Sequence, residues 1–358
     1  MRRLLYGIWV TAIVTVGGVV AVIGARTPAR AAVPAAAATE IFDLQKVADG
    51  VYAALAKPRN PINCNAAVIV YEDGVLVVDT HSRPSSAAAL IAQIKTITDK
   101  PVRYAVNTHF HWDHSQGNRG YLAAFPKTVT LVASEATREN LRTLGASRIK
   151  DQIASTPGAI KGLEAQLAKA TDTATQVRLR DEIAQQQDYL KELQSLEVAL
   201  PDLTFDKSLV LHHGDRRIVL LALGRGHTSG DVVVWLPQER VVATGDLLHG
   251  WMPFMGDSYP PEWVTTLDAL DTLEFDHIIG GHGTVKPRSH LKFFRNYIAD
   301  LIAAVRAAKG RGETLDQAKV SVAAALKPTY DAGMNGEFAG SVGANIEKVY
   351  ADLEAKKY

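Results

Sequence analysis

The sequence has a single cysteine and no surplus of either charge. Cys64 is the only thiol in 358 residues, so no disulfide can form within the chain. The 39 lysine and arginine residues are balanced by 38 aspartate and glutamate residues, for a formal net charge of +1. A chain without a cationic surplus lacks the overall field that attracts nucleic acid or an anionic membrane. The composition therefore disfavours a nuclease and favours a small-molecule substrate.

The longest uncharged run lies at the N-terminus, from Leu4 to Ala25. Arg2 and Arg3 precede it, and small residues in an Ala-x-Ala arrangement follow it, which is the layout of an export signal. The run is also long enough to span a bilayer, so an uncleaved membrane anchor is the alternative. We interpret residues 1–40, which include an Ala/Pro-rich leader, as a targeting or anchoring segment. The protein is then expected to be exported, either to the periplasm or out of the cell.

Residues 41–310 predict one large α/β domain, in which short apolar runs alternate with amphipathic stretches. A helix is predicted from Glu135 to Leu144. Apolar residues then recur at helical spacing amid charged and amide residues between Ser147 and Leu200, which predicts an inserted helical hairpin. The hairpin is interpreted as packing on the flank of the domain, with a lid or dimer surface as the alternative. Residues 311–358 predict further helices packed on the domain.

The stretch from Asn107 to Asn118 carries the chemistry and follows the apolar run Pro101 to Val106, which predicts a buried strand. Four residues of metal-binding type stand within six positions: His109, His111, Asp113 and His114. In an extended backbone, residues two apart point the same way, so the first two histidines can share one ion. A helix would place them about 200° apart. The spacing therefore predicts a metal-binding loop.

Three later apolar runs each end in glycine and one residue of ligand type. His227 follows the run Ile218 to Leu223, and Asp246 follows the run Arg240 to Ala243. His282 follows His277 to Ile279. Together with the motif loop, they form a set of imidazoles and carboxylates without a thiolate. Such a set suits zinc, with iron or manganese as competitors.

The complete His-x-His-x-Asp-His motif, followed by these three segments in this order, resembles the metallo-β-lactamase superfamily over roughly Val47 to Val305. The resemblance implies an α/β fold, the αβ/βα four-layer sandwich, and a hydrolase with two adjacent zinc ions. It implies a first ion held by three imidazoles, a second ion held by two imidazoles and a carboxylate, and a carboxylate that bridges both. These are His109, His111 and His227 for the first ion, Asp113, His114 and His282 for the second, and Asp246 as the bridge.

Further roles follow from this arrangement. A hydroxide trapped between two ions is the expected nucleophile, because metal binding lowers the pKa of water from about 15.7 to about 7. Asp113 would orient that hydroxide and then carry a proton to the leaving group. Asp79 is predicted to accept the outer N–H of a ligand histidine. The neighbouring His81 lies at the same strand end and is interpreted either as part of the site or as a solvated turn residue. Three residues are candidates for the substrate pocket, of which the last has loop packing as its alternative: His249, Trp251 and Trp112.

Differences between this ligand set and those of known subfamilies narrow the range of reactions that the protein is expected to catalyse. Asp246 stands where one lactamase type has cysteine, and another type has the motif without this bridging acid. The full set instead resembles hydroxyacylglutathione hydrolases, lactonases and related periplasmic hydrolases. We therefore predict hydrolysis of an ester, thioester, lactone or β-lactam bond. The alternative is a mononuclear iron dioxygenase of sulfur compounds, which keeps the same ligand residues but fills only one site.

Overall fold

Seven strands from the N-terminal part of the chain form one sheet, in which they lie side by side in chain order. The computed structural model describes residues 41–57 and 64–355, so the predicted targeting segment, residues 1–40, lies outside the described residues. The strands are β1 (Phe42–Ala48), β2 (Val51–Ala56), β3 (Ala66–Tyr71), β4 (Gly74–Val78), β5 (Val102–Val106), β6 (Thr130–Ser134) and β7 (Leu203–Phe205). Strands β1 to β4 are antiparallel, whereas β4 to β7 run parallel and are connected through helices.

Six strands from the C-terminal part form a second sheet, with the order running from the last strand back to the first. They are β8 (Ser208–His213), β9 (Arg216–Leu221), β10 (Val233–Leu236), β11 (Val241–Gly245), β12 (His277–Gly280) and β13 (Lys286–Pro287). Only β11 and β12 pair in parallel in this sheet, within the described part of the chain. A helix connects these two strands, as a parallel pair requires.

Nine α-helices accompany the two sheets in the described ranges. They are α1 (Pro84–Ile97), α2 (Trp112–Ser115), α3 (Asn118–Ala124), α4 (Glu135–Lys169), α5 (Thr173–Gln194), α6 (Pro260–Asp271), α7 (Ser289–Gly310), α8 (Leu315–Tyr330) and α9 (Phe338–Glu354). Among these residues, no helix combines the length and the apolar character needed to cross a bilayer.

The two sheets pack face to face around one apolar cluster. Leu76 and Val106 of the first sheet are fully buried in it together with Leu220 and Val241 of the second. Burial of an aliphatic side chain of this size contributes about 1.5–3 kcal/mol relative to exposure. Because strands from both halves of the chain contribute to this cluster, the two sheets form one folding unit.

Helices cover the outer face of each sheet. Leu90 of α1 packs with Val77 of β4 on the first sheet, and Trp263 of α6 packs with Val242 of β11 on the second. The resulting order of layers is helix, sheet, sheet, helix, which is the predicted αβ/βα sandwich. The C-terminal helices α8 and α9 belong to the same outer layer, because their buried residues join the cluster around Trp263.

The inserted hairpin consists of α4 and α5. The sequence predicts a separate helix that ends at Leu144, before a hairpin that begins at Ser147, and this separation is wrong. Helix α4 runs without interruption through Gly145, so the predicted helix Glu135 to Leu144 is its first part. Gly145 lies against Val198, whose Cγ2 atom would be only 2.9 Å from an added Cβ. The glycine therefore allows close packing of the returning chain and does not end the helix.

The carboxyl ends of the parallel strands meet at one edge of the molecule, and the candidate ligands lie there. Asp79 follows β4, the motif loop follows β5, Asp246 follows β11 and His282 comes two residues after β12. In layered α/β folds this edge is where sites are built, because each strand can end in a short loop that projects a side chain.

Candidate metal centre

His109, His111 and His227 form the first cluster of the centre. All three are buried, and their ring centroids lie 4.7 Å apart in each pair. The Nε2 atom of His227 is 2.9 Å from Nδ1 of His111, and one ring nitrogen from each residue lies within 4.8 Å of the others. Three imidazole nitrogens at this spacing can hold one tetrahedral ion with its fourth position open.

Asp113, His114 and His282 form the second cluster. The Oδ2 atom of Asp113 is 3.2 Å from Nε2 of His282 and 3.4 Å from Nε2 of His114. The short helix α2 supplies two of the three residues, because it begins one position before Asp113. This cluster therefore depends on the local turn of the motif loop, with only His282 coming from a distant strand.

Asp246 lies between the two clusters. Its Oδ1 is 3.3 Å from Nε2 of His114, and its Oδ2 is 3.3 Å from Nε2 of His282 and 3.6 Å from Nε2 of His227. One carboxylate thus faces nitrogens of both clusters. Gly281 makes this approach feasible, because a Cβ there would lie 2.1 Å from Oδ1 of Asp246. The seven predicted ligand residues therefore come together, in the grouping that the resemblance implies.

The inward-facing atoms fit divalent cations. The Nε2 atoms of His109 and His114 and the Oδ1 atom of Asp246 are buried without a hydrogen-bond partner among the described residues. A buried polar atom left in this state costs about 1–3 kcal/mol. An ion at each cluster would satisfy these atoms, and nitrogen and carboxylate ligands without thiolate suit zinc.

The electrostatics of the two clusters differ. Burial and the neighbouring imidazoles lower the pKa of His109 and His227 well below its usual value, so both rings are neutral and present lone pairs. Burial opposes the charge on His282, but Asp246 and Asp113 outweigh it and raise the pKa of this imidazole to about 9. The proton on His282 therefore supplies positive charge between two carboxylates, at the position where a cation is expected.

Asp79 supports both clusters from behind. Nδ1 of His114 donates to its Oδ2 at 2.7 Å, and the backbone N–H and hydroxyl of Thr108 also donate to its carboxylate. The Thr108 hydroxyl in turn accepts from Nδ1 of His109 at 3.0 Å. Both imidazoles are thereby fixed with Nε2 toward the centre. The hydrogen bond expected for Asp79 is present, and its effect on metal affinity stays a prediction.

His81 is completely buried, so the interpretation as a solvated turn residue is wrong. Asp79 and His81 both have positive φ, 66° and 71°, which turns the chain back into the protein after β4. The His81 ring packs on Phe42 with centroids 4.4 Å apart, and Nδ1 donates to the backbone carbonyl of Cys64 at 3.0 Å. Its role is to hold the turn beneath the centre.

The three candidates for the substrate pocket lie in different surroundings. Trp251 is partly exposed and stacks on His282 with centroids 4.6 Å apart. His249 is buried behind it, with its ring 5.5 Å from that of His282. Trp112 packs against the hairpin, 5.9 Å from the ring of Tyr189, as its alternative interpretation expected. Contact of any of them with substrate stays a prediction.

Two residues in one loop beside the centre were not identified from the sequence. The ring of Phe254 is 58% exposed and lies 5.7 Å from the ring of His111, while the carboxylate of Asp257 is 2.8 Å from Nε2 of His111. Both lie in the loop between β11 and α6, which has neither periodicity nor a motif. No local pattern could reveal them, because Asp257 is 146 positions from its partner.

Cys64 is expected to be inert in the folded protein. The side chain is fully buried, and burial raises the pKa of its thiol to about 12. The thiolate is the reactive form, and its population at about pH 8 is then very small. We expect no modification of the folded protein by an aromatic disulfide reagent at about pH 8, and one thiol per chain after unfolding. Rapid modification without unfolding would contradict this burial.

Comparison with known proteins gives one family and one fold. A model of the metallo-beta-lactamase superfamily matches residues 59–282, a range that contains all seven candidate ligands and ends at His282. Among solved structures, the metallo-beta-lactamase from Pontibacter korlensis aligns with a TM-score of 0.52 and 17% identity, over 72% of this chain and 99% of that chain. This likeness confirms the predicted fold.

Two characterised relatives match part of the chain. The linear primary-alkylsulfatase of Pseudomonas sp. (strain ATCC 19151) is 25% identical over 221 residues, which cover 59% of this chain and 40% of that protein. The metallo-beta-lactamase type 2 of Bacillus cereus is 29% identical over 140 residues, which cover 37% of this chain and 50% of that protein. The chain thus spans half or less of the length of these relatives.

Proposed function

The chain belongs to the metallo-beta-lactamase superfamily, and on that premise we propose that it is a zinc-dependent hydrolase that cleaves an ester, thioester, lactone or β-lactam bond with an activated water molecule. The convergence of seven buried or nearly buried ligand residues into two adjacent clusters that share Asp246 carries this proposal. Two neighbouring divalent ions would acidify a water molecule and stabilise the negative charge that develops on the substrate.

Asp113 is the residue proposed to move protons. Burial opposes its ionisation, but His114 and His282 lower the pKa of its carboxyl group well below the usual range. The residue is therefore a carboxylate that can accept a hydrogen bond from the attacking water and orient it. Because it lies at the second cluster, beside Asp246, the same group can pass the proton to the leaving group.

Each of the seven candidate ligands is proposed to hold one ion or both. His109, His111 and His227 would hold the first ion, Asp113, His114 and His282 the second, and Asp246 both. Two of these rings are kept oriented by hydrogen bonds: His114 donates to Asp79, and His109 donates to the Thr108 hydroxyl, which in turn donates to Asp79. Orientation matters because only a nitrogen without a proton can bind an ion.

The substrate is proposed to carry an apolar group near the scissile bond. Phe254 is an exposed aromatic ring beside His111 and His227, at centroid distances of 5.7 and 6.4 Å. Large exposed apolar side chains next to a polar centre are typical of substrate contacts. One relative is named a linear primary-alkylsulfatase, and an alkyl sulfate carries such an apolar group. A sulfate ester of a primary alcohol is therefore a second candidate substrate.

Two further observations bear on alternatives. A mononuclear iron dioxygenase would keep the same ligand residues, including the second set formed by Asp113, His114 and His282, and would fill only one of the two sites. The number and identity of the bound ions therefore decide between this enzyme and the hydrolase. Export to the periplasm, or attachment to the membrane through residues 4–25, is proposed because paired arginines precede a long uncharged run at the N-terminus.

Metal analysis and a substrate panel test the proposed function. We expect about two zinc ions per chain, loss of activity on dialysis against a chelator, and recovery with zinc. The panel would contain chromogenic β-lactam, lactone, thioester, carboxylic ester and sulfate ester substrates, each ester with short and long alkyl chains. Higher kcat/KM for the longer chains is expected from Phe254. One iron per chain with oxygen uptake would instead identify the dioxygenase.

A further inference from the structure

The carboxylate of Asp257 connects a candidate metal ligand to the helical hairpin. Its Oδ2 is 2.8 Å from Nε2 of His111, and Arg148 of α4 donates through Nη2 to Oδ1 at 2.8 Å and to Oδ2 at 3.0 Å. The Asp257 side chain is 28% exposed and that of Arg148 is 32% exposed, whereas His111 is only 6% exposed. The pair therefore lies at the rim of the centre and reaches into it.

The orientation of His111 depends on this contact. Its Nδ1 faces His227 at 2.9 Å, so Nε2 is the outward nitrogen. An imidazole that donates from Nε2 to a carboxylate keeps its proton there and leaves the lone pair on Nδ1, which is the nitrogen that would bind the first ion. His109 and His114 have equivalent partners in Thr108 and Asp79. With Asp257 as the partner of His111, each histidine of the motif has an oxygen that accepts a hydrogen bond from its outer nitrogen.

The hairpin holds this part of the centre at several points. The guanidinium group of Arg148 also lies over the ring of Phe110, 4.7 Å from its centroid, directly before His111 in the chain. One turn further along α4, Gln152 accepts from the amide of Gln116, whose Oε1 accepts from the hydroxyl of Tyr189 in α5. Both helices of the hairpin thus contact the motif loop.

We propose that Asp257, held in place by Arg148, is a positioning residue for His111, and that the helical hairpin sets the affinity of the first metal site through this ion pair. The inference rests on the proposed function only in taking the first cluster to bind zinc. It assigns the hairpin a role that differs from simple packing on the flank, because one of its side chains acts on a ligand through a single intermediate residue.

Zinc affinity, measured by competition with a chromophoric chelator, tests the proposal without any substrate. Asp257→Ala and Arg148→Ala are each expected to weaken binding of the more tightly held ion by about 10- to 100-fold. Asp257→Asn, which keeps an acceptor but loses the charge, should weaken it less. Asp268→Ala and Arg142→Ala are matched controls, because both residues form exposed ion pairs elsewhere, and they should leave affinity unchanged.

A double variant separates positioning from general damage. If Arg148 acts through Asp257, the variant that carries both alanine substitutions should bind zinc no more weakly than Asp257→Ala alone. The absorption spectrum of the cobalt-substituted protein should change in the Asp257 and Arg148 variants and stay unchanged in the controls, because it reports the geometry around the first ion.

The outcomes distinguish this proposal from the proposed function. Wild-type zinc affinity in Asp257→Ala, or additive losses in the double variant, would overturn the positioning role even if the enzyme hydrolysed every substrate. Conversely, tight zinc binding that depends on Asp257 in a protein without hydrolase activity would support the positioning role and reject the hydrolase. Thermal unfolding of each variant shows whether the fold is retained, and Asp257→Asn provides the test if Asp257→Ala unfolds.

Discussion

Replacing Asp246 with alanine is expected to lower zinc occupancy and abolish turnover. Among the residues that the structure describes, Asp246 is the one carboxylate that faces both clusters, with oxygens 3.3 Å from His114 and His282 and 3.6 Å from His227. Its removal takes one ligand from each ion and one negative charge from between them. We expect kcat/KM to fall by about 10³-fold or more, because both activation of water and proton transfer depend on the paired ions. Elemental analysis and steady-state kinetics measure the two effects.

The matched control for this variant is Asp276→Ala. Asp276 is exposed and forms an ion pair with Arg240 at 2.7 Å, and it precedes β12, whereas His282 follows the opposite end of that strand. Exposed pairs of this kind contribute about 0–1 kcal/mol, so stability and zinc content should stay near wild type. An Asp246→Ala protein with both ions and full activity would show that the carboxylate does not bridge.

Replacing Asp113 with asparagine is expected to cost rate more than binding of the first ion. Asparagine has nearly the same shape, but it cannot carry a proton and has no negative charge. We expect kcat to fall by about 10²–10⁴-fold, the usual contribution of general acid–base catalysis. The first cluster consists of three imidazoles and does not include Asp113, so about one zinc ion should remain tightly bound.

Kinetics and metal titration of this variant separate its two roles. A loss confined to the second ion, reversed by excess zinc, would indicate that Asp113 is a ligand only. A low kcat that persists at saturating zinc would indicate proton transfer. Full activity with normal occupancy would contradict both roles and would require another residue near the second cluster to orient the water molecule.

Each of the three motif histidines is oriented by a hydrogen bond to an oxygen, but not all of these oxygens could be predicted from the sequence. Each donates its outer N–H to an oxygen, from Thr108, Asp257 or Asp79. Asp79 follows β4, the neighbour of the motif strand β5, so strand order predicts its role, whereas the role of the Thr108 hydroxyl was identified only from the structure. Asp257 comes from an irregular loop, and the carboxylate that contacts His111 also accepts from Arg148 of α4. Its contribution to the centre therefore follows from tertiary packing.

The sequence by itself predicted the candidate ligand residues, through the motif and the resemblance that it carries, and the layered architecture that holds them. The three later ligands were assigned through the resemblance to a known family, whereas four residues of ligand type within six positions are a local signal that depends on backbone periodicity. Alternating strands and helices predict layered sheets for the same reason. These features could be predicted from the sequence because they arise from residues that are close together in the chain.

The tertiary structure alone decided which groups surround the ligands. The burial of His81, the unbroken course of α4 through Gly145, and the contact between Asp257 and His111 all depend on residues that are distant in sequence. A glycine or an aspartate in a loop has the same local pattern whether it packs, turns or supports a ligand. Only the three-dimensional packing brings the partner that distinguishes these roles, because hydrogen bonds and side-chain contacts depend on distance in space.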